Sequence, residues 1–161
     1  MKKIFILIVL IFFCFPSTFI FCEPTSAYVL HVPDGDTIHI NKNFKKIKIR
    51  LYGIDCPEIK QPGGIYAKER AKELISNKKI IVENKGYDRY GRMVGRVFVE
   101  GDIDLGLKLV SEGFCRWYKK YARHDLALKG AESDARAKKI GVWSRSDSIA
   151  PWKWRKLRRK N

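Results

Sequence analysis

Short stretches of the chain alternate hydrophobic and polar residues with a period of two. In residues 47–52, Ile or Leu stands at every odd position and Lys, Arg or Tyr at every even one, as in a strand with one buried face. Asp34 and Gly35 form a turn signal between two such stretches, which indicates a hairpin. The first three strands should therefore form a meander. The five strands are predicted over residues 28–32, 37–40, 45–53, 79–84 and 93–99.

Helical spacing of small and apolar residues predicts three helices. One lies between the third and fourth strands and two follow the fifth, over residues 66–76, 104–113 and 125–140. Asp104 can cap the start of the second helix, and Gly113 can end it. Five strands with a helix between the third and fourth are typical of an oligonucleotide-binding (OB) barrel. The predicted fold class is therefore α+β and mainly a β barrel: a five-stranded OB-fold barrel with three helices.

The first residues have the pattern of a secretory signal. Two lysines precede an unbroken apolar run over residues 4–15. Thr25 and Ala27 supply small residues before a cut at Tyr28, so we predict a cleaved signal peptide over residues 1–27. Cleavage would make the protein secreted or periplasmic. The alternative is an uncleaved membrane anchor, because apolar residues continue past the run.

The remaining chain divides into a domain and a basic end. The domain is predicted over residues 28–145 and the tail over residues 146–161. From residue 151 onward the tail interleaves Trp with Lys and Arg and contains no acid. One interpretation is an electrostatic handle for nucleic acid with stacking aromatics. The other, which we favour for the tail on its own, is a solvated disordered end.

The charge balance narrows the class of partner. The chain has 33 Lys and Arg against 17 Asp and Glu, a net charge of +16, which attracts polyanions such as nucleic acid or anionic lipid. Because 45% of the residues are hydrophobic, a folded core is expected rather than a disordered polycation. Of the four cysteines, Cys56 and Cys115 follow the predicted signal. In an exported protein they form either one disulfide or two buried thiols, and the pattern leaves both open.

Charged residues at strand ends and turns could supply the chemistry of phosphodiester hydrolysis. That reaction needs a positioned water and cations aimed at the negative charge of the transition state, and a divalent metal can serve both needs. Carboxylates suit Ca²⁺ or Mg²⁺, and arginine binds phosphate through two hydrogen bonds. The sequence has no His and Cys cluster with zinc spacing. The candidates are Asp36, Arg50, Asp55, Glu58 and Arg92. A solvated surface ion pair is the alternative interpretation for the group around Arg50.

Three motifs in this order resemble the signature of the thermonuclease (staphylococcal-nuclease-like) family. They are Asp-Gly-Asp-Thr at residues 34–37, Arg-Leu-Tyr-Gly-Ile-Asp-Cys-Pro-Glu at residues 50–58 and Asp-Arg-Tyr-Gly-Arg at residues 88–92. The resemblance covers residues 28–143. It implies a five-stranded OB barrel with three helices. It also implies a calcium-dependent phosphodiesterase that cuts DNA and RNA at the 5′-oxygen side and leaves 3′-phosphates.

The resemblance also implies a role for each matching residue. Asp36 and Asp55, with the backbone carbonyl of Cys56, would hold Ca²⁺; the thiol itself would be a bystander. Glu58 would activate or orient the attacking water. Arg50 and Arg92 would bind the scissile phosphate and stabilise its developing charge. The implied nucleotide-contacting residues are Tyr90, Tyr118 and Tyr121, although local spacing differs around the last two.

A non-catalytic nucleic-acid-binding OB barrel is the alternative function, tethered to a membrane if the N-terminal segment is retained. Loss of Arg or Glu at the catalytic positions would favour it, and Arg50, Glu58 and Arg92 are all present. We expect a monomer that acts on DNA and RNA and has no stable protein partner. Alanine at any of the three positions should lower activity without unfolding the protein, because these groups are predicted at the surface of the site.

Overall fold

The structure, a computed structural model, describes residues 25–42 and 44–159. The predicted signal peptide therefore lies outside the described residues except for its last three positions. The strands are β1 Thr25–His31, β2 Thr37–Lys42, β3 Lys45–Leu51, β4 Ile54–Asp55, β5 Lys79–Tyr87, β6 Met93–Val99, β7 Ile103–Asp104 and β8 Arg116–Trp117. The helices are α1 Gly64–Ile75, α2 Leu105–Ser111, α3 Leu126–Ala137 and α4 Pro151–Arg158, with a 3-10 turn at Gly141–Trp143.

Five strands close into a barrel. Their order is β3-β2-β1-β5-β6, with antiparallel neighbours, and a parallel pairing of β3 with β6 joins the two ends. In that seam Ile49 lies opposite Met93 and Arg50 opposite Val94. The short β7 extends the sheet beyond β6, and β4 pairs separately with β8. The predicted five-stranded OB barrel and the meander of its first three strands are confirmed.

The alternating pattern of the strands sends one face of each into a common core. Ile38 and Ile40 of β2, Ile49 of β3 and Val97 of β6 are all buried there. Burial of each such aliphatic side chain contributes about 1.5–3 kcal/mol. Helix α1 covers part of the barrel with small buried residues such as Ala67. Along β3 the basic residues alternate with the buried ones and lie on the opposite face.

The chain bends earlier than the strand prediction for residues 45–53 implied. Strand β3 ends at Leu51, and Gly53 has a φ of +73°, in the left-handed region that favours glycine. A Cβ at Gly53 would lie 2.7 Å from Leu128 Cδ1 and 2.8 Å from Ala122 Cβ, so no side chain fits. The bend sends the chain into β4, and Asp55 stands at the end of that strand.

The three predicted helices are present, and a fourth forms where a solvated end was favoured. Asp104 caps α2 by accepting a hydrogen bond from the backbone N–H of Leu107 at 3.0 Å. Helix α4 begins at Pro151, and proline is favoured at a first helical position because its N–H would have no intrahelical partner. Pro151 and the preceding Ala150 are buried. Among the described helices, none has the length and apolar character needed to cross a membrane.

Candidate active site

The turn between β1 and β2 brings Asp36 against the segment that follows β4. A Cβ at Gly35 would lie 2.9 Å from the Cβ atoms of both Ala67 and Cys56, so only glycine permits this close approach. The approach allows the backbone N–H of Cys56 to donate a hydrogen bond to Asp36 Oδ2 at 2.7 Å. Two residues that are twenty apart in sequence and belong to different motifs therefore meet through a buried hydrogen bond.

Arg50 joins the two predicted metal ligands. Its guanidinium lies 2.8 Å from Asp36 Oδ1 through one terminal nitrogen and 2.9 Å from Asp55 Oδ1 through the other. The β2–β3 register places Arg50 opposite Thr37, directly beside Asp36. The Arg50 side chain is only 14% exposed, and that of Asp55 is fully buried. Arg50 is therefore mostly buried and built into the barrel wall beside these acids.

Glu58 lies at the outer edge of the same group. Its backbone carbonyl accepts a hydrogen bond from the N–H of Gln61 at 2.7 Å, and its N–H donates to the Gln61 side chain at 3.3 Å. This tight loop fixes the backbone, while the Glu58 side chain is 44% exposed. The arrangement runs from buried acids to an exposed one, as expected for a site in which a water molecule must reach Glu58.

A disulfide joins Cys56 to Cys115, with their Cα atoms 4.2 Å apart. The two cysteines therefore form a disulfide and not two buried thiols, the alternatives that the sequence left open. The bond ties the loop carrying Asp55 and Glu58 to the segment leading into β8. Since the Cys56 N–H also binds Asp36, the cross-link sits directly behind the two buried acids.

Arg92 lies beside the group rather than in it. It immediately precedes Met93, which pairs with Ile49 across the seam, so it stands next to β3. Its Nε donates to Asp88 Oδ2 at 2.7 Å and its backbone N–H donates to Asp88 Oδ1 at 3.0 Å. Burial opposes ionisation of Asp88, but these hydrogen bonds outweigh it and lower the pKa of Asp88. Over the residues that the structure describes, no hydrogen bond or ion pair joins Arg92 to Arg50 or the three acids.

The three predicted nucleotide-contacting tyrosines lie in two places. Tyr90 is 67% exposed at the tip of the β5–β6 turn, with the Arg92 guanidinium 5.6 Å from its ring centre. Tyr118 follows β8, and its N–H donates to the carbonyl of Gly53 at 2.8 Å. Tyr121 packs edge-on against Tyr118 at 5.0 Å. Tyr90 therefore accompanies Arg92, whereas Tyr118 and Tyr121 lie together beside the bend that leads into β4.

Sequence reasoning missed Arg155, the residue that completes the group. From α4 it donates to Asp55 Oδ1 at 3.1 Å, to Asp55 Oδ2 at 2.7 Å and to Glu58 Oε1 at 2.7 Å. It lies 100 residues from Asp55 in sequence, which hid the contact. Pro151 at a helix start and the Trp at position 154 were the available signals. We call the five residues the acid–arginine cluster: Asp36, Arg50, Asp55, Glu58 and Arg155.

The chemistry of the cluster suits a hard divalent cation. Burial raises the pKa of Asp36 to about 7 even though Arg50 opposes the shift. The positive charge near this carboxylate is therefore too small to offset the cost of burying its ionised form. No group of three or more His, Cys, Asp or Glu placed to hold a metal occurs within residues 25–42 and 44–159. A metal here would use the carboxylates of Asp36 and Asp55 with the Cys56 carbonyl and water, the oxygen donors that Ca²⁺ accepts. The donor chemistry of these residues therefore suits calcium, and in this structure their carboxylates pair with Arg50 and Arg155.

Comparison with known proteins places the chain in a family. Residues 48–145, more than half of the chain, match the family model described as "Staphylococcal nuclease homologue". The chain belongs to this family. It is 36% identical to the "Uncharacterized endonuclease" of Escherichia coli O157:H7 over 155 residues, which cover 96% of this chain and 98% of that protein. It is 34% identical to the "Micrococcal nuclease" of Shigella flexneri over 137 residues, 80% of this chain and 79% of that protein.

The family resemblance predicted from the three motifs is thus confirmed, and so is the enzyme class. The protein is a nuclease, a hydrolase of phosphodiester bonds. The geometry adds that four of the five candidate side chains touch one another in a chain of contacts: Asp36, Arg50, Asp55 and Glu58, the last through Arg155. The individual roles of these residues stay predictions.

Proposed function

We propose that this staphylococcal nuclease homologue is an exported, calcium-dependent nuclease that hydrolyses DNA and RNA at the 5′-oxygen side and leaves 3′-phosphates. The observation that carries the proposal is the convergence of Asp36, Arg50, Asp55 and Glu58 at one end of the barrel. Residues far apart in sequence meet there with the charges that phosphodiester hydrolysis needs.

In this proposal the buried acids bind the metal and the outer groups handle water and phosphate. Asp36 and Asp55 with the Cys56 carbonyl would hold Ca²⁺, which when bound supplies positive charge at the phosphate. Glu58 orients the attacking water and accepts its proton, because its carboxylate is the exposed one. Arg50 donates hydrogen bonds to the scissile phosphate from the barrel wall. The water oxygen bonds to phosphorus, the bond from phosphorus to the 5′ oxygen breaks, and the 5′ oxygen takes a proton from a solvent water as it leaves.

The turn that carries Arg92 would form the opposite wall of the site, across the β3–β6 seam. The guanidinium of Arg92 is only partly buried and is oriented by Asp88 through Nε, which leaves its terminal nitrogens for a phosphate. A guanidinium held in this way can meet the charge that develops on the phosphate oxygens. Tyr90 lies beside it and could pack against the nucleotide.

One feature of the structure supports export. Disulfides form in oxidising compartments, and this domain has one behind its active-site acids. Ala27, the last residue of the predicted signal peptide, pairs with Ile80 of β5. A cut before Tyr28 would remove the first three residues of β1, so mass spectrometry of the mature N-terminus should identify the cleavage position. Recovery of the intact chain in the membrane fraction would favour the anchored alternative.

The test is digestion of DNA and of RNA by the purified exported protein with calcium, with magnesium or with a chelator, followed by analysis of the product ends. Cleavage of both substrates with calcium, none with chelator, and 3′-phosphate ends are expected. Glu58→Gln is the matched control, because it keeps the shape of the side chain and removes the base. A wild-type protein that binds both substrates in calcium and cuts neither would favour the non-catalytic alternative.

A further inference from the structure

Helix α4 brings a second guanidinium to the mouth of the candidate active site. Arg155 binds both oxygens of Asp55 and one oxygen of Glu58, each through a contact of 2.7–3.1 Å. These are the acids that the proposed function assigns to metal and water. Arg155 is about one third exposed, so it stands between the buried acids and solvent. Its position is therefore that of a group that an incoming substrate would meet.

The helix is held in place by contacts that do not involve Arg155. Gln61 Nε2 donates to the carbonyl of Ile149 at 2.6 Å, and Arg116 donates to the Ser148 hydroxyl at 2.8 Å. Trp152 stacks on Tyr118 with ring centres 5.3 Å apart and planes 11° from parallel. If the Arg155 ion pairs were broken, these contacts would still hold α4 beside the cluster. Arg155 is therefore held at the wall of the site by the packing of α4.

Arg155 behaves in this structure as Arg50 does. Each guanidinium binds Asp55 together with one further acid. The planar fork of arginine fits a phosphate as well as a carboxylate, through two parallel hydrogen bonds. A divalent cation on Asp55 would replace the positive charge that Arg155 now supplies to that acid. The guanidinium would then be free to bind an anion while α4 keeps it at the mouth.

We propose that Arg155 is a further substrate-binding residue of this site, which binds a phosphate group of the nucleic acid once a metal occupies Asp55; the proposal rests on the proposed function. The surroundings on α4 support a polyanionic substrate. Trp152, one helical turn before Arg155, forms an aromatic pair with Tyr118 on which a base could stack. Lys156, Arg158 and Arg159 add exposed positive charge to the C-terminal end of the same helix.

The experiment compares Arg155→Gln with Lys153→Gln in the full chain. Both remove one positive charge from α4, but Lys153 is exposed. The probe is a short fluorescent DNA strand whose 5′ oxygens are replaced by methylene groups, so that it cannot be cut in calcium. Anisotropy should show about ten- to a hundredfold weaker binding for Arg155→Gln, the range for one charged hydrogen-bonding group, and little change for Lys153→Gln. With cleavable DNA, KM should rise by a similar factor and kcat should change much less.

Two further measurements separate this role from others. Arg155→Lys should recover part of the binding, because lysine keeps the charge and loses the fork. Calorimetry with Ca²⁺ alone should give an affinity for Arg155→Gln no weaker than that of the wild type, because Arg155 is not a metal ligand. Near-ultraviolet circular dichroism, which reports the Trp152–Tyr118 stack, should be unchanged if α4 stays docked.

The possible results separate this proposal from its alternatives. If Arg155→Gln binds the probe as tightly as Lys153→Gln, Arg155 forms a structural ion pair only. If it binds calcium more tightly and cuts faster with unchanged probe binding, Arg155 blocks the site. If the wild type binds the probe through Arg155 but cuts nothing, the proposed catalysis fails and this inference stands. If Arg155→Gln does not fold, the Arg155→Lys comparison decides, and equal binding by Arg155→Lys and wild type counts against a forked phosphate contact.

Discussion

Two sides of the candidate site are held in place by different parts of the fold. On one side Arg50 is enclosed by the barrel and contacts acids from two other segments, Asp36 and Asp55. On the other side Arg92 is held by Asp88, four residues before it in the same turn. The first arrangement exists only when the barrel is folded, whereas the second is a local turn. We infer that substitutions on the first side change stability and activity together, and that those on the second change activity alone.

The difference follows from burial. A charge removed from water needs its partner, and loss of that partner leaves an uncompensated buried charge that costs several kcal/mol. Asp55 is fully buried and Asp36 nearly so, which makes Arg50 part of the structure as well as of the chemistry. When a partly exposed ion pair within one turn is broken, water solvates the remaining charge at a small cost in free energy. Arg92 belongs to that second class.

The largest expected effect is therefore that of Arg50→Ala, compared with Arg92→Ala. Each should lower kcat/KM by about 10²–10³, the effect of removing one preorganised donor to the transition state. Arg50→Ala should also lower the free energy of unfolding by about 3–5 kcal/mol near neutral pH, because two buried acids lose a partner. Arg92→Ala should lower it by less than about 1 kcal/mol. Urea denaturation followed by tryptophan fluorescence measures the stability.

Glu58→Gln is the control for this pair, since it alters an exposed acid of the same cluster. It should reduce activity with a small change in the denaturation midpoint. The comparison fails if Arg50→Ala and Arg92→Ala have the same midpoint. Such a result would mean that Arg155 alone compensates Asp55, and that Asp36 becomes protonated at little cost.

The sequence predicts the parts of the molecule that depend on local pattern and on short motifs. Alternation located the barrel strands, and the motifs carrying Asp36, Arg50 and Asp55 located the cluster. The bend was placed too late because Tyr52 still fits the alternation; packing against Leu128 and Ala122 shows why glycine is needed at position 53. Burial of Arg50 was also missed, since alternation assigns a side chain to a face but does not say what covers that face.

The next largest effect is expected from the disulfide, which ties the buried side of the site together. A cross-link that spans 59 residues should stabilise the protein by about 4 kcal/mol through the entropy of the unfolded chain. The double variant Cys56→Ala/Cys115→Ala should lose about that amount in urea denaturation. Arg92→Ala with the disulfide intact should not.

Addition of a reductant is the matched test, since it should shift the denaturation midpoint of the wild type and leave that of the double variant unchanged. Equal midpoints for wild type and double variant would show that the cross-link adds nothing to the barrel.

The sequence did not predict the long-range contacts of the C-terminal helix α4. Trp152 and Arg155 could be read as a helical face once Pro151 was taken as a start, but nothing local shows that this face meets Tyr118 and Asp55. Gln61, which joins the Glu58 loop to the chain before α4, carries no motif at all. Such contacts depend on how separate elements pack, so they became visible only in the folded molecule.

The smallest expected effect concerns an ion pair of intermediate burial, which adds a third case to the comparison of Arg50 with Arg92. Arg70 of α1 binds Glu112, at the end of α2, through two hydrogen bonds of 2.7 and 2.8 Å, with both side chains about one quarter exposed. These bonds lower the pKa of Glu112, although burial opposes the shift. Because the pKa is lower in the folded state, the stabilisation is present above the unfolded value of about 4.5 and disappears as pH falls through the folded one. Glu112→Gln should therefore cost about 1–2 kcal/mol at pH 7.

The loss should shrink towards zero below the folded pKa of Glu112, where the wild-type carboxyl is itself protonated. Denaturation at a series of pH values from neutral to acid measures the difference. Asp147→Asn is the matched control, because its pair with Arg145 is exposed on both sides and should give no measurable difference at any pH. A Glu112→Gln penalty that is independent of pH would mean that packing of the side chain, rather than its charge, holds α1 and α2 together.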